Sequence, residues 1–476
     1  MNARLQSVAQ LETVLAAQRV ATDHQGLVSL EVRQRRLQAA IDLLVDYSQP
    51  LAEAMDRDFG GRHPGFGLMQ DVLGSLTSLK YARDHLAEWL PDSPRQPFAP
   101  YDQLGAKAWV RYQPKGSIGI LGTWNAPLFT LFSPLASAFA AGNRAVLKPS
   151  EVSSHTAEVL AAAIAERFDP LELAVITGGA DVAQGFASQA FDHLVFTGST
   201  AVGKVIMRCA AEHLVPVTLE LGGKSPAILG SSLDMAEAAR RLAIAKGTNG
   251  GQICISPDLL YVPQDQQQAF IAAFSAAWSE LWPNAEGNPD LVSVINDRHL
   301  QRIDALLDDA AEQGARIIHC PAEAPQRHSR KRPLSLVIDP PAQSRIMQEE
   351  IFGPALVLLS YRDIEQVVAH INAGERPLAL YYFGDDLQEQ AYVLDHTLSG
   401  GVTLNDALMH AAMEDAPFGG VGASGMGHYH GREGFIEFSH ARTVFQSPAH
   451  DPRREWGVLP PYGEHFVAAM QSQVSR

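Results

Sequence analysis

Two residues in this chain have the types and setting for covalent chemistry. Cys254 sits in Gly250-Gly251-Gln252-Ile253-Cys254-Ile255-Ser256-Pro257, and Glu220 closes a strand-like segment just before Leu221-Gly222-Gly223-Lys224. A thiol on a glycine-flanked turn supplies a nucleophile, and a carboxylate at a strand end supplies a separate base for hydrolysis. Val217, Leu219 and Leu221 alternate with Thr218 and Glu220, which turns the carboxylate away from the apolar side chains. Beside two glycines such a carboxylate is partly desolvated, its pKa rises, and it suits general base work. Taken alone, a cysteine is more often a small core residue and a glutamate more often a surface one.

The elements that must position these groups are legible as texture. Residues 1 to about 90 read as helices, with apolar residues at helical spacing over Leu27 to Ala54 and Met69 to Leu90. Pro91, Pro94, Pro97 and Pro100 then impose an extended segment, and Trp109 to Tyr112 alternates like a short strand. From Gly116 the chain changes to buried strands at Ser117–Leu121, Arg144–Leu147, Leu173–Ile176 and His193–Phe196. Helical stretches at Phe129–Ala141, Ser153–Arg167 and Asp181–Gln189 separate them. This βαβ alternation implies a parallel sheet covered on both faces. A second α/β section follows Gly222, with helices at Ala236–Lys246, Gln267–Trp282 and Gln301–Gln313. Its strands are expected at Gly353–Leu359, Leu378–Phe383 and Gly401–Leu404. The chain from Leu459-Pro460-Pro461-Tyr462 onward reads as a tail on a surface.

Composition narrows the partners. With 476 residues, 46% of them hydrophobic, the chain has material for two or three domains. A net charge of −16 excludes nucleic acid as a partner, since phosphate binding needs a basic surface. The basic run from Arg327 to Arg332 is expected as a solvated loop beside Pro333. Three cysteines, Cys209, Cys254 and Cys320, are too few for a disulfide scaffold, and the start lacks the apolar core of a secretion signal. No membrane span is expected, and a reducing, cytoplasmic compartment would keep a thiol usable. Cys209 reads as helix packing and Cys320 as a loop residue. His428 and His430 have i, i+2 spacing, but no carboxylate or cysteine pattern accompanies them, so no metal site is expected.

Six segments in order carry a more specific signal: Trp124-Asn125-Ala126-Pro127, Lys148-Pro149-Ser150-Glu151, Phe196-Thr197-Gly198-Ser199-Thr200, Glu220-Leu221-Gly222-Gly223-Lys224, Gly251-Gln252-Ile253-Cys254 and Glu349-Glu350-Ile351-Phe352-Gly353-Pro354. Together they resemble the aldehyde dehydrogenase superfamily over nearly the whole chain. Pro417-Phe418-Gly419-Gly420 and the Pro-Pro-Tyr tail are similar to its class 3 branch, and Gly427-His428-Tyr429-His430-Gly431 to the bacterial coniferyl aldehyde dehydrogenase group. There is no G-x-G-x-x-G fingerprint after a strand.

The resemblance implies an α/β fold with a Rossmann-like cofactor domain, an α/β catalytic domain and a small bridging β element. It assigns 1–101 and 116–220 to NAD(P) binding with N-terminal helices, and 221–437 to catalysis. Residues 102–115 and 438–450 become the bridging, oligomerising element of a homodimer, and 451–476 the tail. Cys254 becomes the nucleophile that forms a thiohemiacetal with an aldehyde, and Glu220 the base that frees the acid from the thioester. Asn125 becomes an oxyanion donor beside the Cys254 N–H. Lys148 and Glu151 would meet the adenosine ribose, and Gly198 and Ser199 the pyrophosphate. Trp124 would lie near the phosphates, and Glu350 and Phe352 at the nicotinamide ribose and ring. Gly203 and Leu221 complete the cofactor set. Glu151 favours a free 2′-hydroxyl, hence NAD, although class 3 enzymes also accept NADP.

Three positions depart from the family pattern. Thr123 replaces a proline, Ala126 an aromatic residue and Ile253 a threonine. These changes fit a wider, more apolar channel for a bulky aromatic or aliphatic aldehyde. Two other functions compete: a CoA-acylating enzyme, which usually lacks the glutamate matching Glu220, and a non-catalytic protein on the same fold, which the intact Cys254, Glu220 and Asn125 oppose.

Overall fold

The computed structural model describes residues 2–322, 325–326 and 328–474. The chain divides into two compact units, one made of the residues up to Trp89 with Pro114–Ser439, the other of Leu90–Gln113 with the residues from His440 onward.

The first unit holds two seven-stranded sheets. Across the first, the order is Arg4–Leu5, Leu173–Ile176, Arg144–Lys148, Ser117–Leu121, His193–Thr197, Val217–Glu220 and Gly425–Met426. All pairs are parallel except the last, in which Gly425 lies opposite Glu220. After the edge strand Arg4–Leu5, the chain enters the middle at Ser117–Leu121, winds outward to Leu173–Ile176, then returns to His193–Thr197 on the other side of Ser117–Leu121. That reversal opens a crevice at the carboxyl ends of the strands, where doubly wound sheets bind ligands. Four of these strands are buried at every residue, which is why they read as unbroken apolar runs.

The second sheet runs Arg316–Cys320, Leu334–Ile338, Ala355–Tyr361, Leu259–Pro263, Pro226–Leu229, Ala379–Phe383 and Gly401–Leu404. It is parallel except at Arg316–Cys320. Residues Leu221 to Ser225 lead from the carboxyl end of Val217–Glu220 to the amino end of Pro226–Leu229. The trailing edge of one sheet thus continues into the leading edge of the other.

The helix Phe129–Ala140 is anchored at both ends, and it directly follows Asn125. At its start, the buried Asp71 carboxylate accepts from Leu128 N (3.0 Å) and Phe129 N (3.3 Å), and its other oxygen pairs with the buried Arg62 at 2.7 Å. A carboxylate satisfying free N–H groups there also opposes the positive end of the helix dipole. At its end, Arg33 donates to Ala140 O at 2.7 Å and Arg36 to Asn143 O at 3.1 Å. Asp71 itself lies on a π-helical turn, Leu68–Leu73, a form often found near functional sites.

Three sequence expectations change. The span Leu27 to Ala54 is two helices, Leu30–Asp46 and Ser48–Phe59, with Tyr47 closing the first. Cys320 ends a strand and is buried, with Ser275 Oγ 3.3 Å from its sulfur, because Arg316–Cys320 pairs with Leu334–Ile338. The basic run is not a solvated loop. Arg330 donates to Val294 O, Lys331 to Asn288 O, and Arg332 pairs with Asp304 at 2.7 Å, so main-chain carbonyls and one carboxylate hold the charges. Arg327 lies outside the described residues.

The second unit holds a three-stranded sheet, Ser439–Gln446, Lys107–Pro114 and Ser93–Arg95. Arg111 pairs with Asp92 at 2.6 Å, and Phe98 stacks on Phe445 with centroids 5.5 Å apart. The tail carries a helix, Phe466–Gln473, that the sequence reading did not foresee. No helix among the described residues is long and apolar enough to cross a membrane.

Candidate active site

The carboxyl edge of the first sheet collects most of the residues singled out from the sequence. Leu121 pairs with both Lys148 and Phe196, and Thr197 pairs with Glu220, so the segments that follow these strands emerge side by side. They carry Trp124 and Asn125, Glu151, Gly198 and Ser199, and Leu221. The buried Lys148 donates to Glu151 at 3.0 Å. Partial burial pushes the Glu151 carboxyl up, but its own N–H and Lys148 outweigh that and hold it below its ordinary value. Ser199 caps Thr200–Ala211, its hydroxyl accepting from Val202 N at 3.4 Å, and Gly203 lies in the first turn against Leu221. Trp124 packs among Phe59, His299 and Phe352, with centroids 6.1, 4.9 and 5.4 Å away.

The leading edge of the second sheet brings Cys254, Glu350 and Phe352. Cys254 follows three consecutive left-handed residues, Asn249 (φ 51°), Gly250 (φ 62°) and Gly251 (φ 73°). At Gly251 only glycine fits, since a Cβ would overlap Gly353 O. Phe352, also left-handed at φ 47°, is strained in the way that side chains at functional sites often are. The Glu350 carboxylate lies against Gly222, where a Cβ would overlap both its oxygens, and accepts from Gly223 N. Arg302 fixes that segment from outside, donating to Glu350 O at 2.9 Å and to Ile351 O. Lys224 donates to Asp258, Ile346 O (2.8 Å) and Glu349 O (3.0 Å), and so ties the start of the second sheet to the same segment.

Electrostatics link the two edges. Burial pushes the Cys254 thiol up, and charge on Glu220 and Glu350 adds to this, while the N–H groups of Cys254 and Ile255 pull it down. Glu220 is 2% exposed, and neither carboxylate oxygen has a partner among the described residues. Its pKa is raised well above the ordinary value by that burial alone. Glu350 is pushed up to about 8 by burial and then by Asp258, against Gly223 N–H, Lys224 and Arg302. Burial raises the pKa of the buried Tyr429 hydroxyl, and the charges of Glu220, Cys254 and Glu414 add to this.

Asn125 is buried and donates through Nδ2 to Gln252 O at 3.0 Å. A carbonyl only accepts, so the amide orientation is fixed: nitrogen faces Gln252, and a second N–H is left over.

Sequence reasoning missed several groups here. Asn249 and the Gln252 side chain join Asn125 in one network, Tyr381 donates to Ile255 O at 2.5 Å, and Asp71 with Arg62 anchors the helix after Asn125. Only the glycines after Asn249 hinted at such a turn; the rest depend on contacts distant in sequence. His430 is buried between Phe418 and Phe129, with centroids 5.7 and 6.1 Å away, and burial holds it down to about 4, a neutral ring. No group of three metal-capable side chains occurs among the described residues.

A doubly wound cofactor sheet that ends in a buried carboxylate, joined to a second α/β sheet that presents a half-buried thiol within its electrostatic reach, is the architecture of an aldehyde-oxidising dehydrogenase. The aldehyde dehydrogenase family profile matches residues 2–444, and the chain belongs to that family. It is an NAD(P)-dependent enzyme that oxidises aldehydes. Among its relatives are a probable coniferyl aldehyde dehydrogenase of Caulobacter vibrioides, 46% identical over 98% of this chain and 97% of the relative, and the coniferyl aldehyde dehydrogenase of Pseudomonas sp. strain HR199, 43% identical over 96% and 94%. A dimeric NADP-preferring aldehyde dehydrogenase of Canis lupus familiaris is 35% identical over 93% and 95%. Of solved structures, the substrate-bound state of Staphylococcus aureus AldH superposes with a TM-score of 0.90 at 32% identity, over 98% of this chain and 99% of that one.

The first-sheet edge fits a dinucleotide. A capped helix start offers N–H groups to phosphate, and the Lys148–Glu151 pair offers both a donor and an acceptor to sugar hydroxyls.

Proposed function

We propose that Cys254 is the nucleophile, Glu220 the hydrolytic base and Asn125 an oxyanion donor in the oxidation of a bulky, coniferyl-type aromatic aldehyde to its acid. The observation that supports this most is the buried Glu220 carboxylate, without a partner among the described residues and within electrostatic reach of the Cys254 thiol. In water the thiol would ionise more readily, so the site depends on N–H donors at Cys254 and Ile255 to steady the thiolate. The thiolate adds to the aldehyde carbon, and the new oxyanion is received by the spare N–H of Asn125 and by the Cys254 N–H. Lys148, Glu151, Gly198, Ser199, Gly203, Leu221, Trp124, Glu350 and Phe352 would hold NAD(P), which would supply the hydride acceptor for the adduct. Glu220 then draws a proton from water, which attacks the thioester carbon; the C–S bond breaks and the acid leaves.

The substrate class rests on local shape and on the relatives' names. Ala126 adds a single carbon beside Asn125, and Phe129, Phe418, Tyr429 and His430 form an aromatic cluster with centroids 5.1 to 6.1 Å apart. Glu151 beside the ribose favours NAD, since a 2′-phosphate would meet its charge. Residues 1–101 with 116–220 serve cofactor binding, and 221–437 the chemistry. We further read the chain as a cytoplasmic homodimer joined through its small three-stranded sheet; light scattering should return twice the chain mass, and a monomer would end that reading.

A panel of coniferyl-type, benzylic and short aliphatic aldehydes, run with both cofactors, tests the substrate. Coniferyl-type aldehydes should exceed acetaldehyde in kcat/KM by about tenfold or more, with free acid as product. A preference for short aldehydes, or acyl-CoA as product, would reject it.

A further inference from the structure

We propose that Gln252 and Asn249 form a clamp that aims the Asn125 amide at the reacting carbonyl, which makes them positioning residues rather than catalytic ones. The inference rests on the reading of Asn125 as an oxyanion donor.

All three side chains are buried and share one hydrogen-bond network, in which the Asn249 amide oxygen has no partner among the described residues. The Gln252 amide nitrogen donates to Asn249 O (2.9 Å) and Ser293 O (3.0 Å), and its amide oxygen accepts from Ile295 N (3.0 Å). Both hydrogens and the oxygen are thus used, which leaves the side chain a single orientation. Its anchors are main-chain atoms of the Ser293–Ile295 segment, itself held by Ser293 N to Gly61 O at 3.0 Å and Val294 N to Arg330 O at 2.8 Å. Locking the side chain also locks the Gln252 carbonyl, two residues before Cys254. That carbonyl accepts from Asn125 Nδ2 at 3.0 Å and Asn249 Nδ2 at 3.1 Å. The second hydrogen of Asn249 reaches Asn125 O at 3.1 Å, so the amide of Asn125 is held at its main chain and at its nitrogen. The left-handed backbone of Asn249 is what lets one short amide span both.

A buried amide with every polar atom satisfied also adds rigidity, so the test must separate aim from stability. Gln252→Met keeps length and removes the bonds; Asn249→Gly keeps the left-handed backbone and removes the bridging amide. The single-turnover rate of NADH formation is measured for each variant, for Asn125→Ala and for the doubles. Asn125→Ala should lose about a hundredfold or more. Each clamp variant should lose about tenfold or more alone, with cofactor affinity unchanged within about twofold, and less than about twofold further when Asn125 is already alanine. Losses that multiply in the doubles would overturn the clamp and leave Asn125 in place. A full rate in Asn125→Ala would instead sink the reading on which the clamp rests.

Discussion

Cys254→Ala is expected to lower dehydrogenase turnover by about 10⁴-fold or more while cofactor affinity stays within a few-fold of the native value. The two effects separate because the residues sit on different elements. Cys254 comes from the turn before Leu259–Pro263, whereas Lys148, Glu151 and Ser199 follow strands of the first sheet. Alanine keeps the Cβ and the Cys254 N–H, so the turn and one oxyanion donor survive. Fluorescence titration with NAD and steady-state rates on a good aldehyde measure both effects. Retained turnover would remove Cys254 from the chemistry; lost cofactor binding would mean that the turn supports the first-sheet edge.

The second large effect belongs to Glu220. Glutamine has the same shape, and Glu220 has no described partner to lose, so Glu220→Gln should fold and bind normally. The thiol can still add and the adduct can still be oxidised, but nothing accepts the proton of the attacking water. One reduced cofactor per site should form in a burst, followed by a steady state slower by about 10²- to 10⁴-fold. The pH dependence has a definite sign. Burial raises the Glu220 pKa, so the carboxyl keeps its proton to higher pH than an ordinary glutamate and cannot serve as base until it is lost. Thioester hydrolysis in the native enzyme should therefore quicken as pH rises through that elevated pKa, and the rise should vanish in the variant. Steady-state rates equal to native would reject Glu220 as the base.

How far these roles could be read from sequence depended on how local their causes are. Ser117–Leu121, Leu173–Ile176 and their neighbours were visible because parallel strands covered on both faces are continuous apolar runs. Pro226–Leu229, Leu334–Ile338 and all of Leu259–Pro263 but its last residue are as buried, yet their pattern hides them. Prolines at Pro226, Pro263 and Pro333 demote a strand by pattern, yet here they stand at the first or last residue or just outside, where no ladder N–H is missed. The thiol, the carboxylate and Asn125 were legible through their motifs, since each lies where a strand ends or begins. What positions them was not. The grip of Gln252 on Ser293 and Ile295, and of Asp71 on Leu128 and Phe129, joins residues far apart in the chain. The charges from Arg330 to Arg332 looked solvated because a pattern of like charges says nothing about which carbonyls fold over to meet it.

The central claim is that the carbon skeleton of the aldehyde becomes bonded to one sulfur. Glu220→Gln, mixed with NAD and a coniferyl-type aldehyde and quenched within the burst, should gain the mass of one acyl group. That mass should map to the peptide containing Cys254 and disappear in the double variant with Cys254→Ala. A burst of NADH with no added mass, or an acyl group on another residue, would contradict the account.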